Sequence, residues 1–242
     1  MAEKESSFSE IFGYVIASIV LIKRNFKPFA LLGIFFIILS LLLTPPEDKV
    51  YAEMDSRQSL LIMGTAIISL ITYTMLIIAV SRHVERSENF SMNNMINDIN
   101  EGFFPLFQAI IIKFFIITLG FICFIIPGII LSLRYSLIEY FVIFEKQSFQ
   151  QAKANSIRCM QGYKLPLFLI FFVTAIAEIL LIVLTDFLLF GTMYGSEPHL
   201  LTEVISSITS FIYTLASILT LYIFWKKKRH IAYQQPDSLD QI

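Results

Sequence analysis

The most constraining feature of the sequence is an uninterrupted apolar region of 42 residues, from Phe103 to Phe144. As a single helix it would be roughly 63 Å long at about 1.5 Å per residue, twice the ~30 Å hydrocarbon thickness of a bilayer. Pro127 removes a helical hydrogen-bond donor and Gly128 accepts positive φ, so this pair predicts a structural turn that reverses the chain. The region therefore predicts two membrane crossings, over about 104–126 and 128–145.

Four further apolar segments predict crossings over about 27–44, 59–81, 165–190 and 201–225. The chain is 56% hydrophobic and only 15% charged, whereas a soluble domain carries about 25% charged residues. A soluble fold of this size would expose much of that apolar surface to water. We therefore predict an all-α fold class: a polytopic membrane helical bundle of six transmembrane helices, forming a single integral membrane domain over residues 1–242.

Basic residues predict the orientation, because cytoplasmic loops of membrane proteins are enriched in Lys and Arg. If the N-terminus is inside, fourteen of the 18 basic residues fall in inner segments: Lys4, Lys23, Arg24, Lys27, Arg82, Arg86, Lys146, Lys153, Arg158, Lys164, Lys226, Lys227, Lys228 and Arg229. The outer loops then hold only Lys49 and Arg57. Both termini are predicted to be cytoplasmic.

Three shorter segments, 8–22, 91–101 and 148–161, read as helices lying in the inner membrane interface. Gly102 is expected to end the second of them. Each precedes a span that begins near a proline, namely Pro28, Pro105 or Pro166, and proline is tolerated in the first helical turn. This recurrence predicts three repeats, each an interfacial helix followed by a membrane hairpin. The alternatives are ordinary linker helices and proline-aromatic starts of spans that recur without a repeat.

Ionisable residues within the predicted spans are the intramembrane polar candidates for function: Lys113, Arg134, Glu139, Glu178 and Asp186. A charge in hydrocarbon costs at least ~2.5–3.5 kcal/mol on insertion scales. Lys113 lies near the inner boundary and is expected to snorkel. Glu139, Glu178 and Asp186 lie at helical spacing from hydroxyl residues in the fourth and fifth predicted spans, and the sixth carries a further stripe of hydroxyl residues. Three interpretations remain open: packing between helices, a polar pathway with Arg134 and Glu178 as a charged pair, or lipid-headgroup contact by Asp186 or Arg134 near the outer boundary.

The run Lys226, Lys227, Lys228 and Arg229 is predicted to face lipid and attract anionic headgroups, although an ordinary positive-inside stop signal explains it equally simply. No catalytic motif is present, so we expect the protein not to be an enzyme. Cys123 and Cys159 have no partner at metal or redox spacing, and the histidines are isolated. We therefore expect no metal and no cofactor, and the net charge of −1 gives no reason to expect nucleic acid.

The turn Phe124-Ile125-Ile126-Pro127-Gly128-Ile129-Ile130-Leu131, followed by Leu133-Arg134-Tyr135-Ser136, resembles the YciC-type bacterial inner-membrane proteins. It is also similar to the related membrane domain of some glycerophosphodiester phosphodiesterases. Gln151-Ala152, Ser156 and Gln161-Gly162 continue the resemblance. It implies a multi-pass protein of the bacterial inner (plasma) membrane, in a family without an established activity. The phosphodiesterase barrel is absent from this chain, and Glu139 departs from the apolar residue or proline that relatives often have.

From these features we expect an accessory or structural envelope component that acts through membrane lipids, a protein partner or a homo-oligomer. The alternative is a small-solute transporter or channel that uses Arg134, Glu139, Glu178 and Asp186. A water-accessible cavity lined by those residues would favour transport, whereas a closed and dry bundle would favour the accessory role.

Overall fold

A computed structural model of the protein describes residues 2–43, 56–86, 92–190 and 200–234. These residues form ten helices and no strand. Their bounds are α1 Ala2–Arg24, α2 Phe26–Leu43, α3 Ser56–Arg86, α4 Met92–Cys123, α5 Ile125–Arg134, α6 Ile138–Glu145, α7 Phe149–Cys159, α8 Lys164–Phe190, α9 Leu200–Lys228 and α10 Ile231–Gln234. The loops predicted at 45–58 and 191–199 fall largely or wholly outside the described residues.

The predicted all-α, multi-pass membrane bundle is confirmed. Within the described ranges, five stretches of helix are long and apolar enough to cross a membrane: Met63–Glu85, Asn93–Cys123, Ile125–Glu145, Lys164–Leu181 and Val204–Lys228. Helix α2, the first predicted span, is apolar over the shorter stretch Phe26–Phe35. The count of six spans stays a prediction.

The predicted reversal within the long apolar region is confirmed, but it lies three residues before Pro127. Phe124 separates α4 from α5 with extended backbone angles, φ −164° and ψ 150°, and Pro127 falls in the first turn of α5. A Cβ on Gly120 would lie 3.2 Å from the Cα of Gly128, so the two helices cross in close contact. Gly128 does not have positive φ. Its hydrogen side chain leaves room for the ring of Phe121, whose atoms would lie 2.5 Å from a Cβ at this position.

The span predicted over 128–145 consists of two helices rather than one. Helix α5 ends at Arg134, and α6 begins at Ile138 after a turn over residues 135–137. Tyr140, in α6, donates a hydrogen bond of 2.7 Å to the carbonyl of Ile218 in α9. The break therefore lets α6 turn into the core of the bundle, where Ile138 and Phe141 are fully buried.

The prediction of a separate helix over 91–101 is wrong. Helix α4 runs without interruption from Met92 to Cys123, through Gly102 and Pro105. Gly102 does not end the helix, because it packs against Ile78 of α3, 3.4 Å from a Cβ placed there. The second of the three predicted repeats therefore lacks its own interfacial helix. Pro28 and Pro166 do lie in the first turns of α2 and α8, as expected.

Residues 8–22 were predicted to form a helix in the membrane interface, across the end of the bundle, but α1 does not lie there. It runs antiparallel to α9, and three of its side chains at four-residue spacing meet α9 in register. Glu10 forms an ion pair of 2.8 Å with Lys228, and the ring of Tyr14 packs edge-on against Phe224 at 6.1 Å. Ser18 lies one turn further along, where it accepts a hydrogen bond of 3.3 Å from Thr220. These three contacts hold α1 against α9.

One end of the bundle carries Arg82, Lys164 and Lys226–Arg229, and we call it the basic end. Trp225 is 1% exposed and stacks on Phe144 at 4.8 Å between ring centroids. Away from this end the helices present large apolar side chains outward. The share of each candidate span that is buried ranges from 17% in Lys164–Leu181 to 44% in Ile125–Glu145, which suits helices whose outer faces meet lipid.

Candidate functional site

The most deeply buried ion pair that the described residues contain joins Lys113 of α4 to Glu139 of α6. The Glu139 side chain is 3% exposed and that of Lys113 is 18% exposed. The Lys113 ammonium donates a hydrogen bond to Oε1 of Glu139. The second carboxylate oxygen of Glu139, Oε2, is buried without a hydrogen-bond partner. Lys113 was expected to snorkel. That expectation is wrong, because Glu139 provides a countercharge inside the bundle.

Ser156 of α7 reaches the break between α5 and α6. Its hydroxyl donates a hydrogen bond of 2.6 Å to the carbonyl of Arg134 and accepts one of 3.2 Å from the amide of Leu137. Each unsatisfied backbone group in an apolar environment costs several kcal/mol. The hydroxyl thus replaces hydrogen bonds that the helix loses where it is broken. Ala152, Ser156 and Met160 are all fully buried, so α7 packs on the bundle through the side that carries Ser156.

Arg134 lies at the basic end, close enough to Lys164 for the two charges to repel one another. Both side chains are partly buried. The Nε of Arg134 is buried and makes no hydrogen bond. Neither cation forms an ion pair with an acidic side chain anywhere in the described part of the chain. Arg134 therefore lies beside a second cation, which does not fit the alternative in which it contacts lipid headgroups near the outer boundary.

Glu178 accepts a hydrogen bond of 2.9 Å from the hydroxyl of Ser210 on α9. It lies fourteen positions along α8 from Lys164, roughly 21 Å at about 1.5 Å per residue. The predicted pair between Arg134 and Glu178 is therefore wrong. Asp186 belongs to α8, but its side chain lies outside the described residues. The bond from Ser210 fits the reading in which hydroxyl stripes join neighbouring helices.

The basic run at the end of α9 was predicted to face lipid, but its side chains also contact the protein. Lys226 forms an ion pair of 2.9 Å with Glu85, and Lys228 forms one of 2.8 Å with Glu10. Lys227 lies over the ring of Tyr14 at 5.1 Å, and the guanidinium of Arg229 lies over Trp225 at the same distance. Three of the four remain exposed, but each contacts a side chain of the protein. The run therefore helps to hold α1 and α3 against α9.

The contact between α1 and α9 has a defined protonation state. Burial acts to raise the pKa of the Glu10 carboxyl, but hydrogen bonds from Lys228 and Tyr14 and the charge of Lys228 outweigh it and lower the pKa below its ordinary 4.5. Burial and the hydrogen bond to Glu10 raise the pKa of the Tyr14 hydroxyl far above its usual range. Nearby, burial raises the pKa of the Cys159 thiol to about 12. Glu10 is therefore charged and Tyr14 neutral at physiological pH.

An open pocket of about 440 Å³ lies beside this contact at the basic end. It is lined by Glu145, Gln147, Arg229, His230 and Tyr233. Glu145 accepts hydrogen bonds from Tyr233 and, at 2.9 Å, from Gln147. Glu145, Gln147 and Tyr233 therefore bind one another, while the guanidinium of Arg229 lies over Trp225. Within the described residues no group of three metal-binding side chains occurs.

Several structural residues were not recognised in the sequence as members of a site. Ser156 had been noted as part of a helix pattern and of the family resemblance, Glu10 only as part of a helix pattern, and Glu85 not at all. Their partners lie 22, 218 and 141 positions away in the chain. The spacing of Glu10, Tyr14 and Ser18 at four-residue intervals could have indicated a polar contact face on α1.

No protein-family model, curated protein or solved structure matches the chain. The resemblance to the YciC-type proteins therefore stays a prediction, and the candidate residues have to be judged by their geometry alone.

Proposed function

We propose that the protein is a non-enzymatic, multi-pass accessory or structural component of the bacterial inner membrane, acting through lipids, a protein partner or a second copy of itself. The observation that carries this proposal is the separation of the intramembrane polar groups. Glu139 is paired with Lys113, Glu178 is bonded to Ser210, and Arg134 lies beside Lys164. Groups that serve one substrate converge on one place, whereas these stabilise separate helix contacts.

The location and orientation rest on charge. Basic residues gather at the end of the bundle where Lys164 and the run Lys226–Arg229 lie together, and cytoplasmic ends carry this excess in membrane proteins. Large side chains such as Trp225 and Phe224 are buried at this end, so we propose that the protein presents a rigid surface to the cytoplasm. Membrane lipids and protein are the partners that such an arrangement suits, and nothing in the charge distribution favours nucleic acid.

Water access to the buried pair tests this proposal against transport. Ala109 is 3% exposed and lies one turn from Lys113 on α4. We suggest Ala109→Cys in a background of Cys123→Ser and Cys159→Ala, reconstituted in vesicles and treated with a membrane-impermeant thiol reagent. We expect no labelling, while Gln150→Cys, exposed on α7, is labelled in the same preparation once the membrane is opened.

The alternative function, a small-solute transporter or channel, is favoured by one observation. Glu139 Oε2 is buried and has no hydrogen-bond partner, and a free carboxylate oxygen inside a membrane protein is typical of ion and proton pathways. Labelling of Ala109→Cys to the same extent as Gln150→Cys would overturn the accessory proposal and establish a water-filled route to this pair.

A further inference from the structure

Arg134 and Lys164 stand out because, in the described part of the chain, neither of these partly buried cations forms an ion pair with an acidic side chain. In the described part of the chain, the other close cations at this end have partners: Lys226 has Glu85 and Lys228 has Glu10. A guanidinium carries five hydrogen-bond donors. That of Arg134 makes no side-chain hydrogen bond, and its Nε is sealed from solvent. Two partly buried cations on helices that pack against one another destabilise the fold unless an anion lies between them.

The surroundings of the two cations are apolar and open to the outside. Ile130, one turn before Arg134 on α5, is 40% exposed, and Phe172, two turns beyond Lys164 on α8, is 51% exposed. Phe168 lies between Lys164 and Phe172 on the same face, and its ring stacks on that of Phe172 at 5.5 Å. Helices α5 and α8 pack against one another. In a phospholipid, an anionic headgroup stands at the end of an apolar acyl chain. Two cations at the end of an exposed apolar face are complementary to that arrangement.

We propose that Arg134 and Lys164 bind the phosphate of an anionic phospholipid, with its acyl chain against Ile130, Phe168 and Phe172. Arginine binds phosphate through paired N–H donors, and lysine adds a point charge. Lys164 is also the first residue of α8, and the positive end of a helix favours an anion. Lys228, over the ring of Tyr163 at 4.9 Å, is excluded as the main ligand because Glu10 already binds it.

This inference rests on the proposed function in one respect, because it specifies the lipid partner of a membrane-embedded chain. The test measures binding of phosphatidylglycerol to the full-length protein in detergent by native mass spectrometry, with phosphatidylcholine and inorganic phosphate as the other probes. Each basic residue near an anionic surface contributes about 1 kcal/mol, or roughly five-fold in affinity. We expect Arg134→Gln and Lys164→Gln to weaken phosphatidylglycerol binding about five-fold each, and the double variant about thirty-fold.

The matched control is Lys153→Gln, which removes one charge from the same end of the molecule and should leave binding unchanged. The variant pair Arg134→Lys and Lys164→Arg keeps both charges and should retain most of the affinity, which separates loss of charge from loss of fold. Equal binding of phosphatidylglycerol by the wild type and the double glutamine variant would overturn the site. Saturation of the site by inorganic phosphate, with no preference for the lipid, would also overturn it. Neither outcome touches the labelling of Ala109→Cys, which tests the proposed function separately.

Discussion

Glu139 is buried more deeply than its ion-pair partner Lys113. We therefore predict that replacing Lys113 destabilises the protein more than replacing Glu139. Lys113→Met leaves a carboxylate that is 3% exposed and already has one oxygen without a partner. Removing one partner of a buried pair costs about 3–5 kcal/mol. Glu139→Leu leaves an ammonium that is 18% exposed on a flexible stem, which can turn toward a more polar position. We expect this second change to cost about 1–3 kcal/mol.

The double variant, Lys113→Met with Glu139→Leu, removes both charges together. Replacing a buried ion pair by apolar side chains is often neutral or stabilising, so its stability should lie within about 1 kcal/mol of wild type or above it. The two single costs would therefore fail to add, with a coupling energy of several kcal/mol. Such a result would show that these charges matter mainly to each other.

Unfolding of the detergent-solubilised protein can be followed through Trp225, the only tryptophan in the chain. It is buried and stacks on Phe144 of α6, so its emission reports on the helix that carries Glu139. Lys153→Met, a charge removal on α7, serves as the control and should change stability by less than about 0.5 kcal/mol. The reasoning would be refuted if the losses of stability in the two single variants added up in the double variant. A larger loss for Glu139→Leu than for Lys113→Met would also refute it.

Four further predictions concern contacts elsewhere in the bundle. Ser156→Ala should lower the free energy of unfolding by about 1–3 kcal/mol, because it leaves backbone groups at the α5–α6 break unsatisfied; thermal unfolding measures it. Gly120→Leu should force the two helices of the hairpin apart and cost about 1–3 kcal/mol or more. The pKa of Glu10 is lowered in the folded state, so its stabilisation is complete above about pH 4.5 and is lost as the pH falls through the folded pKa. The Cys159 thiol, with its pKa raised to about 12, should resist maleimide at neutral pH, while the exposed Cys123 reacts with a lipid-soluble reagent.

Each of these predictions has a result that contradicts it. Ser156→Cys keeps a weak donor and acceptor, so equal losses for Ser156→Ala and Ser156→Cys would argue against the hydrogen bonds. Gly64→Leu is the control for the hairpin, because a Cβ at Gly64 meets no atom within 4 Å. The Glu10 contribution should stay below about 1 kcal/mol, since that side chain is partly exposed. It should also be absent from Glu10→Gln, and identical pH profiles would rule it out. Reaction of both cysteines at one rate would show that Cys159 is not buried.

Much of the architecture could be predicted because lipid imposes long apolar helices. The bounds of α2, α8 and α9 lie close to the predicted spans, and the reversal near Pro127 was correctly read from a region too long for one crossing. Helix α4 was harder. Gly102 and Pro105 normally mark a helix end, but packing of Gly102 against Ile78 on α3 keeps the helix continuous. Tertiary packing overrode a local signal.

The polar pairings were the least predictable part. Arg134, Glu139 and Glu178 were picked out as ionisable residues within predicted spans, but the sequence does not show which of them are neighbours. Helix α6, which follows the break after Arg134, carries Glu139 to Lys113 of α4. No propensity or periodicity near the break reveals it, because its missing hydrogen bonds are supplied by Ser156 from another helix. A single helix through this region would have placed these side chains differently.

The tight turn at Phe124 also bears on how the protein enters the membrane. Between Lys113 and Arg134 the chain contains no ionisable side chain apart from Cys123, and the turn itself is a single apolar residue. Helices α4 and α5 can therefore partition into lipid together as a closed hairpin, with no charged loop to be carried across the hydrocarbon. The translocation machinery would handle this pair as one insertion event, and the ion pair with Glu139 would form only after α6 folds back onto α4.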